Sequence, residues 1–111
     1  MIVGFESIDP VVVKGMNEGA GEMTARMASS DGFRFVSCSL HPGCSIGMHR
    51  HESSVDINFV VSGSGEAVCD GAVEELGSRC VHICPRGSEH SIRNTGDTDL
   101  CLLTAVVYFR C

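Results

Sequence analysis

The sequence predicts an all-β protein, either a sandwich or a barrel, and three observations support this fold class. Short apolar runs alternate with turn signals from Gly32 onward. Asp70-Gly71 lies between two such runs and indicates a tight hairpin, because the primed turns that suit strand twist need positive φ. No internal repeat, low-complexity tract or long amphipathic helix competes with this pattern. We expect strands over residues 33–40, 45–51, 55–61, 65–69, 73–76, 80–84, 90–93 and 100–109.

The N-terminal part of the chain is less regular. Three consecutive valines predict one short strand over residues 11–13, whereas the polar, glycine-punctuated stretch 15–28 predicts a loop or a short helix. The 111 residues suffice for one ordinary domain with a sizeable core. We therefore expect a single domain over residues 1–111, made of an N-terminal strand and loop arm (1–31) and a barrel (32–111).

Composition excludes several classes of function. The net charge of −6, with eight Lys and Arg in all and no basic stripe, argues against a nucleic-acid partner. No apolar run approaches the roughly 20 residues that cross a bilayer, so we expect no membrane span. The N-terminus has no positively charged segment ahead of an apolar one, as a signal peptide would, which favours a cytoplasmic location. The seven cysteines are odd in number and lie mostly in apolar runs, so we expect reduced thiols.

Three histidines and one aspartate have the spacing of metal ligands. In an extended strand His49 and His51 share a face about 6.6 Å apart, so both imidazoles can lean toward one ion. Asp56 follows on the next predicted strand. His90 lies just beyond a turn that Pro85 and a glycine would fix. A barrel would bring these four side chains to one inward-facing point.

These residues also fall on two motifs, and the chain resembles the cupin superfamily through them. The first motif has a glycine, His-x-His, an acid and a second glycine; the second has proline, glycine, histidine and asparagine. The resemblance covers roughly the last two-thirds of the chain and implies a double-stranded β-helix, the jelly-roll barrel. Three positions differ, since Asp56 replaces the usual glutamate, and Arg79 and Cys80 replace the glycine and aspartate that open the second motif. The matching positions are Gly43, His49, His51, Asp56 and Gly63, then Pro85, Gly87, His90 and Asn94.

The predicted cofactor is one divalent transition metal on His49, His51, Asp56 and His90. Fe, Mn, Ni, Cu and Zn all suit imidazole and carboxylate ligands, so the ligand types leave the metal open. Aspartate is one methylene shorter than glutamate, so its oxygen would fall about 1.5 Å short unless the strand moves. Asp56 is therefore either a direct ligand or a group that orients a histidine or a bound water.

The function predicted from this site is a small metal-dependent enzyme, of oxygenase, isomerase or decarboxylase type, acting on a small oxygen-rich anionic metabolite. The alternative is a non-catalytic cupin that binds a sugar or organic acid, with a structural or recognition metal. A partner-binding module with a vestigial pocket is a third reading, because no catalytic base or arginine clamp stands out. The resemblance also implies a homodimer, for which the strand over 11–13 is a candidate for exchange between protomers.

Other reactive side chains have simpler interpretations. Cys80, His82 and Cys84 alternate onto one strand face, but the outer pair would be about 13 Å apart, too far for one tetrahedral zinc ion, so we expect small core residues. Glu89 is expected to be an exposed loop carboxylate. A thiol at Cys38, or at the neighbouring Cys44, could line the pocket as a nucleophile or as a filler.

Overall fold

The computed structural model describes residues 1–109, which are almost entirely β-structure. Ten strands form two antiparallel sheets. The large sheet has the order β1-β2-β3-β10-β5-β8, and the small sheet has the order β4-β9-β6-β7. The strands are β1 Val11–Lys14, β2 Glu22–Ser30, β3 Phe33–Leu40, β4 Ser45–Arg50, β5 Ser54–Ser62, β6 Gly65–Cys69, β7 Ala72–Leu76, β8 Val81–Cys84, β9 Glu89–Arg93 and β10 Leu100–Tyr108.

Helical structure within residues 1–109 is limited to two 3-10 turns. They span Phe5–Ser7 and Met16–Glu18. Neither comes close to the length of a membrane-spanning helix, and this part of the chain has no other candidate. The all-β jelly-roll prediction is confirmed, and the predicted strands match β1 and β3 to β10 to within two residues at each end.

The prediction of a loop or short helix over residues 15–28 is wrong for β2, which begins at Glu22. This strand pairs with both β1 and β3, and its Met23 and Ala25 are buried in the core. The signal was present in the sequence, because Met23, Ala25 and Met27 alternate with polar residues in the period of a half-buried strand. Two glycines before it concealed the pattern.

The barrel interior is divided along its axis into an apolar end and a polar end. In the large sheet Leu40 pairs with Leu100, and Leu102 pairs with Val60, all of them buried. Ile92 of the small sheet packs with this cluster. These side chains form the apolar end, whereas further along the same strands the buried side chains become polar. The polar end consists of His49, His51, Ser54, Asp56, Asn58, His82, His90 and Thr104.

Two of the turns with left-handed backbone bear on the sequence predictions. Asp70 (φ 48°) and Gly71 (φ 82°) connect β6 to β7, which confirms the predicted hairpin. Arg79 (φ 70°) precedes β8 at the position where the second motif normally has glycine. The chain therefore keeps the backbone conformation of that glycine with a residue that adopts it at a cost.

Candidate metal centre

A β-bulge in β4 turns the two neighbouring histidines into the barrel. Ile46 pairs with Ile92 and His49 pairs with His90, so three steps along β4 oppose two along β9. The extra residue lies at Gly47-Met48, and Met48 is left exposed. A bulge shifts the alternation of a strand by one residue. Because of it, both Ile46 and His49 face inward.

The structure brings the four predicted side chains together at the polar end. The Nε2 atom of His90 lies 3.1 Å from Nε2 of His49 and 3.2 Å from Nε2 of His51. It lies 3.0 Å from Oδ2 of Asp56, which is 3.5 Å from Nε2 of His51. The four donor atoms are all within 4.8 Å of one another. Metal bonds of about 2.0–2.2 Å at right angles separate neighbouring donors by about 3 Å, so the spacing fits a single ion.

In each of the three histidines, Nδ1, the ring nitrogen that faces away from the cluster, has a hydrogen-bond partner outside it. Nδ1 of His49 lies 2.8 Å from the carbonyl oxygen of Gly47, to which it donates. Nδ1 of His51 lies 3.1 Å from Oγ of Ser54. Nδ1 of His90 lies 2.9 Å from Nε2 of His82. All three Nε2 atoms are therefore left to face the centre, the arrangement found around metal-binding histidines.

The shorter side chain of Asp56 still reaches the cluster. Its Oδ2 atom accepts a hydrogen bond of 3.1 Å from Asn58, whose Oδ1 in turn accepts one of 2.7 Å from the hydroxyl of Thr104. Burial raises the pKa of Asp56, but the contacts with His90 and Asn58 outweigh burial, so the pKa lies below its usual value. Asp56 is thus an anion at neutral pH, at the same spacing as the histidines.

The imidazoles of His49 and His51 are neutral at pH 7. Burial lowers the pKa of both side chains below the usual value, and the neighbouring histidines act in the same direction. Neutral imidazoles present lone pairs rather than protons at Nε2. Together with the carboxylate of Asp56 they form an electron-rich cluster, which suits a cation.

The cluster opens into a cavity of about 260 Å³. Arg34 lines this cavity, a residue that was not predicted to belong to the site. It shares a register row with Val106 and Asp56 across β3, β10 and β5, which puts its Cα about 10 Å from that of Asp56. An arginine side chain can cross most of that distance. Arg34 is exposed, and within residues 1–109 its guanidinium forms no hydrogen bond or ion pair. The alternation of residues 34, 36, 38 and 40 in β3 was the signal that could have identified it.

The thiols near the site are fillers rather than nucleophiles. Cys38 lines the cavity, and burial raises its pKa to about 12. Burial also raises the pKa of Cys84 to about 12. A thiol with such a pKa carries almost no thiolate at neutral pH. Cys44 is half-buried and packs against the core.

The remaining predictions concern Cys80, His82 and Cys84 of the predicted strand over 80–84, and Glu89. Cys84 and His82 are buried, as expected, but Cys80 is exposed, because it lies in the turn before β8. His82 is more than a filler, since it contacts His90 of the candidate metal centre. Glu89 is the first residue of β9 and not a loop residue, because it pairs with Arg50 of β4. Its carboxylate is partly exposed, as expected, and forms an ion pair of 3.5 Å with Arg50.

Comparison with known proteins gives consistent relatives. Residues 36–106 match the family model described as Cupin domain. The chain is 31% identical to an oxalate-binding protein of Thermotoga maritima, over 96% of this chain and 93% of that protein. It is 41% identical to a 5-nitrosalicylic acid 1,2-dioxygenase of a Bradyrhizobium species, over 59% of this chain and 31% of the dioxygenase. A crystal structure of a predicted oxalate decarboxylase from Thermotoga maritima superposes with a TM-score of 0.92 at 30% identity, covering 98% of this chain and all of that one.

Proposed function

This chain belongs to the cupin family, and from that premise we propose that it binds one divalent first-row metal and, on that metal, a small dicarboxylate such as oxalate. The observation that carries the proposal is the convergence of His49, His51, Asp56 and His90 at the floor of one small cavity. Bound there, the metal would act as a Lewis acid for ligand oxygens or would bind oxygen. The relatives that bind oxalate or are named for acting on it support the same ligand class.

The charge of the cavity favours a dianion over a monoanion. A divalent ion and the carboxylate of Asp56 sum to one positive charge, and the guanidinium of Arg34 adds a second. No carboxylate other than Asp56 lines the cavity within residues 1–109. A dicarboxylate would neutralise this charge, with one end on the metal and the other accepting a bidentate hydrogen bond from Arg34.

The side chains that line the cavity favour a protein that binds its ligand without converting it to a product. Apart from the four donors, the titratable groups that line the cavity in the described chain are Arg34, Tyr108 and the neutral thiol of Cys38. Acid–base chemistry needs a group that exchanges protons near pH 7, and none of these side chains does so ordinarily. The second candidate is an oxygenase, isomerase or decarboxylase, which the dioxygenase relative and the predicted decarboxylase support.

The test combines metal analysis with ligand titration. Plasma mass spectrometry of untagged protein should find close to one Fe, Mn, Ni, Cu or Zn per chain, and His49→Ala should lose it. Calorimetry should then show oxalate binding to the metal-loaded protein, much weaker acetate binding, and neither with metal-free protein. An Arg34→Gln variant should weaken oxalate binding about tenfold or more without loss of metal, because a charged hydrogen bond is removed.

The control for Arg34 is Arg79→Gln, which removes the same charge in a turn outside the cavity. Oxalate binding that is equal in wild type and Arg34→Gln would contradict the dianion argument. Absence of metal after reconstitution with each ion would contradict the whole proposal. Formate and carbon dioxide release, or oxygen consumption, measured on the loaded protein separates the binding protein from the enzyme.

We also propose that the protein is a cytoplasmic homodimer. The outer face of the large sheet is apolar, and large exposed apolar patches mark interfaces. The thiols of Cys38, Cys44, Cys69, Cys80, Cys84 and Cys101 are all free, which suits a reducing compartment. Light scattering should give a mass of two chains for the wild type. An Ile83→Glu substitution on that face should reduce the measured mass to that of one chain. The outer face includes Phe59, Val61, Val81, Ile83 and Leu103.

A further inference from the structure

A relay of hydrogen bonds, formed by His90, His82 and Glu74, leads from the candidate metal centre to the outside of the barrel. Nδ1 of His90 lies 2.9 Å from Nε2 of His82, and Nδ1 of His82 lies 2.9 Å from Oε1 of Glu74. The side chains of His90 and His82 are 0% and 1% exposed, whereas that of Glu74 is 47% exposed. The ring planes of His82 and His90 differ by only 24° and the ring centroids are 5.1 Å apart, as expected for two imidazoles joined edge to edge by a hydrogen bond. The path crosses the seam between the two sheets, because β8 is an edge strand of the large sheet and β7 of the small one.

The direction of donation along these hydrogen bonds is set by Glu74, at the outer end. The ionised carboxylate of Glu74 can only accept a hydrogen bond, so Nδ1 of His82 must carry a proton. A neutral His82 then has a bare Nε2, which can only accept, and Nδ1 of His90 must donate to it. A neutral His90 that donates from Nδ1 has no proton on Nε2, the atom that is directed at the other three donors.

We propose that His82 and Glu74 are positioning residues of the metal centre, which hold His90 in the tautomer and orientation that a metal ligand needs. The inference rests on the metal binding proposed above. Neither residue occupies a defined position of the family motifs; the sequence predicted His82 only as a core residue and made no prediction for Glu74. Hydrogen bonds to the outer nitrogen of a ligand histidine fix its ring and raise its basicity, and their loss typically weakens metal binding about 10–100-fold.

The same contacts could serve only to close the seam between the sheets, so the variants must separate the two roles. His82→Phe keeps the ring volume but removes the acceptor from Nδ1 of His90. His82→Gln puts an amide oxygen close to the former Nε2 position and can still accept. Glu74→Gln removes the charge and lets the side chain donate as well as accept.

Metal affinity, measured by chelator competition with Zn²⁺ and Co²⁺, is the first readout. His82→Phe should bind each ion about 10–100-fold more weakly than wild type, whereas His82→Gln should stay within about threefold, with Glu74→Gln between them. Two controls match the changes outside the relay: Glu75→Gln, on the same strand, and His41→Gln, whose imidazole pairs with Asp99 on the surface at 2.7 Å. Both should stay within twofold. Unchanged affinity in folded His82→Phe, with circular dichroism as the check, overturns the proposal.

The tautomer of His82 is the second readout, and it does not need a metal. Long-range proton–nitrogen correlation spectra should show His82 protonated at Nδ1 and bare at Nε2 in both metal-free and Zn²⁺-loaded protein. Glu74→Gln should raise the population protonated at Nε2. A wild-type His82 protonated at Nε2 overturns the relay, even in a protein that binds metal well. A wild type that binds no metal but has the expected tautomer contradicts the proposed function instead.

Discussion

The apolar and polar ends of the barrel interior lie on the same strands, and they differ in what burial achieves. At the apolar end, Leu100 and Leu102 lose water-exposed surface, which stabilises the fold in proportion to the area buried. At the polar end, Asn58, His82 and His90 are as deeply buried, yet each needs a hydrogen-bond partner to offset the loss of water. No buried side-chain nitrogen or oxygen in the described chain lacks one. Burial therefore stabilises the barrel at the apolar end, whereas at the polar end it has to be offset by hydrogen bonds.

Leu102→Ala should separate the two ends with the largest effect on stability. The side chain is 1% exposed and packs in the apolar core, so its truncation should lower the free energy of unfolding by about 2–5 kcal/mol. Urea denaturation of the metal-free protein measures the change. Zn²⁺ affinity measured well below the unfolding transition should stay within about twofold of wild type. A large loss of affinity in the folded variant would mean that the two ends are coupled.

Removal of one of the four candidate metal ligands from the polar end should instead weaken metal binding. His51→Ala and Asp56→Ala should each weaken metal binding more than about a hundredfold, beyond the usual effect of outer partners. We expect equal losses, because Oδ2 of Asp56 and Nε2 of His51 lie at similar distances, 3.0 and 3.2 Å, from Nε2 of His90. The measurement is chelator competition at pH 7.5. A much smaller loss in Asp56→Ala would make Asp56 an orienting group rather than a ligand.

The pH dependence of stability should also originate at the polar end. Burial lowers the pKa of His49 and His51, so the unfolded chain binds protons below pH 6.5 more readily than the folded one. The free energy of unfolding of metal-free protein should therefore fall as the pH drops from 7 to 5. A variant with glutamine at both positions should lose much of this dependence in urea titrations with a chelator present.

His41 supplies the opposing control at the surface. Its hydrogen bond with Asp99 raises its pKa, so its contribution to stability is present below pH 6.5 and is lost as the pH rises through that raised value. His41→Gln should make the fall in stability toward pH 5 slightly steeper. A shallower fall would contradict the assignment of the pH dependence to the buried pair.

Prediction from the sequence succeeded where one residue type at one spacing determines the outcome. The His-x-His pattern, Asp56 and His90 identified the four side chains that the structure brings together, and apolar alternation identified most strands. Arg34 and Glu74 were missed because an exposed charged residue on a strand ordinarily has no particular partner, and only the register shows which element it meets. His82 was interpreted as a core residue. Its burial could be predicted from the alternation of its strand, but its hydrogen-bond partner on the other sheet could not.

Arg79→Gly tests whether the replacement of the glycine that opens the second motif affects only stability. Arg79 holds φ at 70°, which costs a residue with a side chain about 1–2 kcal/mol, whereas glycine adopts it freely but loses about 0.5–1 kcal/mol through chain entropy. A net gain of roughly 0.5–1 kcal/mol is expected, seen as a higher urea midpoint with an unchanged slope. Asp70→Gly relieves a similar conformation (φ 48°) but removes the hydrogen bond of 3.0 Å from the amide of Glu89, so it should gain less or lose stability. Equal gains would show that the side chain of Asp70 contributes nothing, and a loss in Arg79→Gly would show that its side chain makes a stabilising contact after all. Metal affinity should not change in either variant, because both turns lie outside the set of donors and their outer partners.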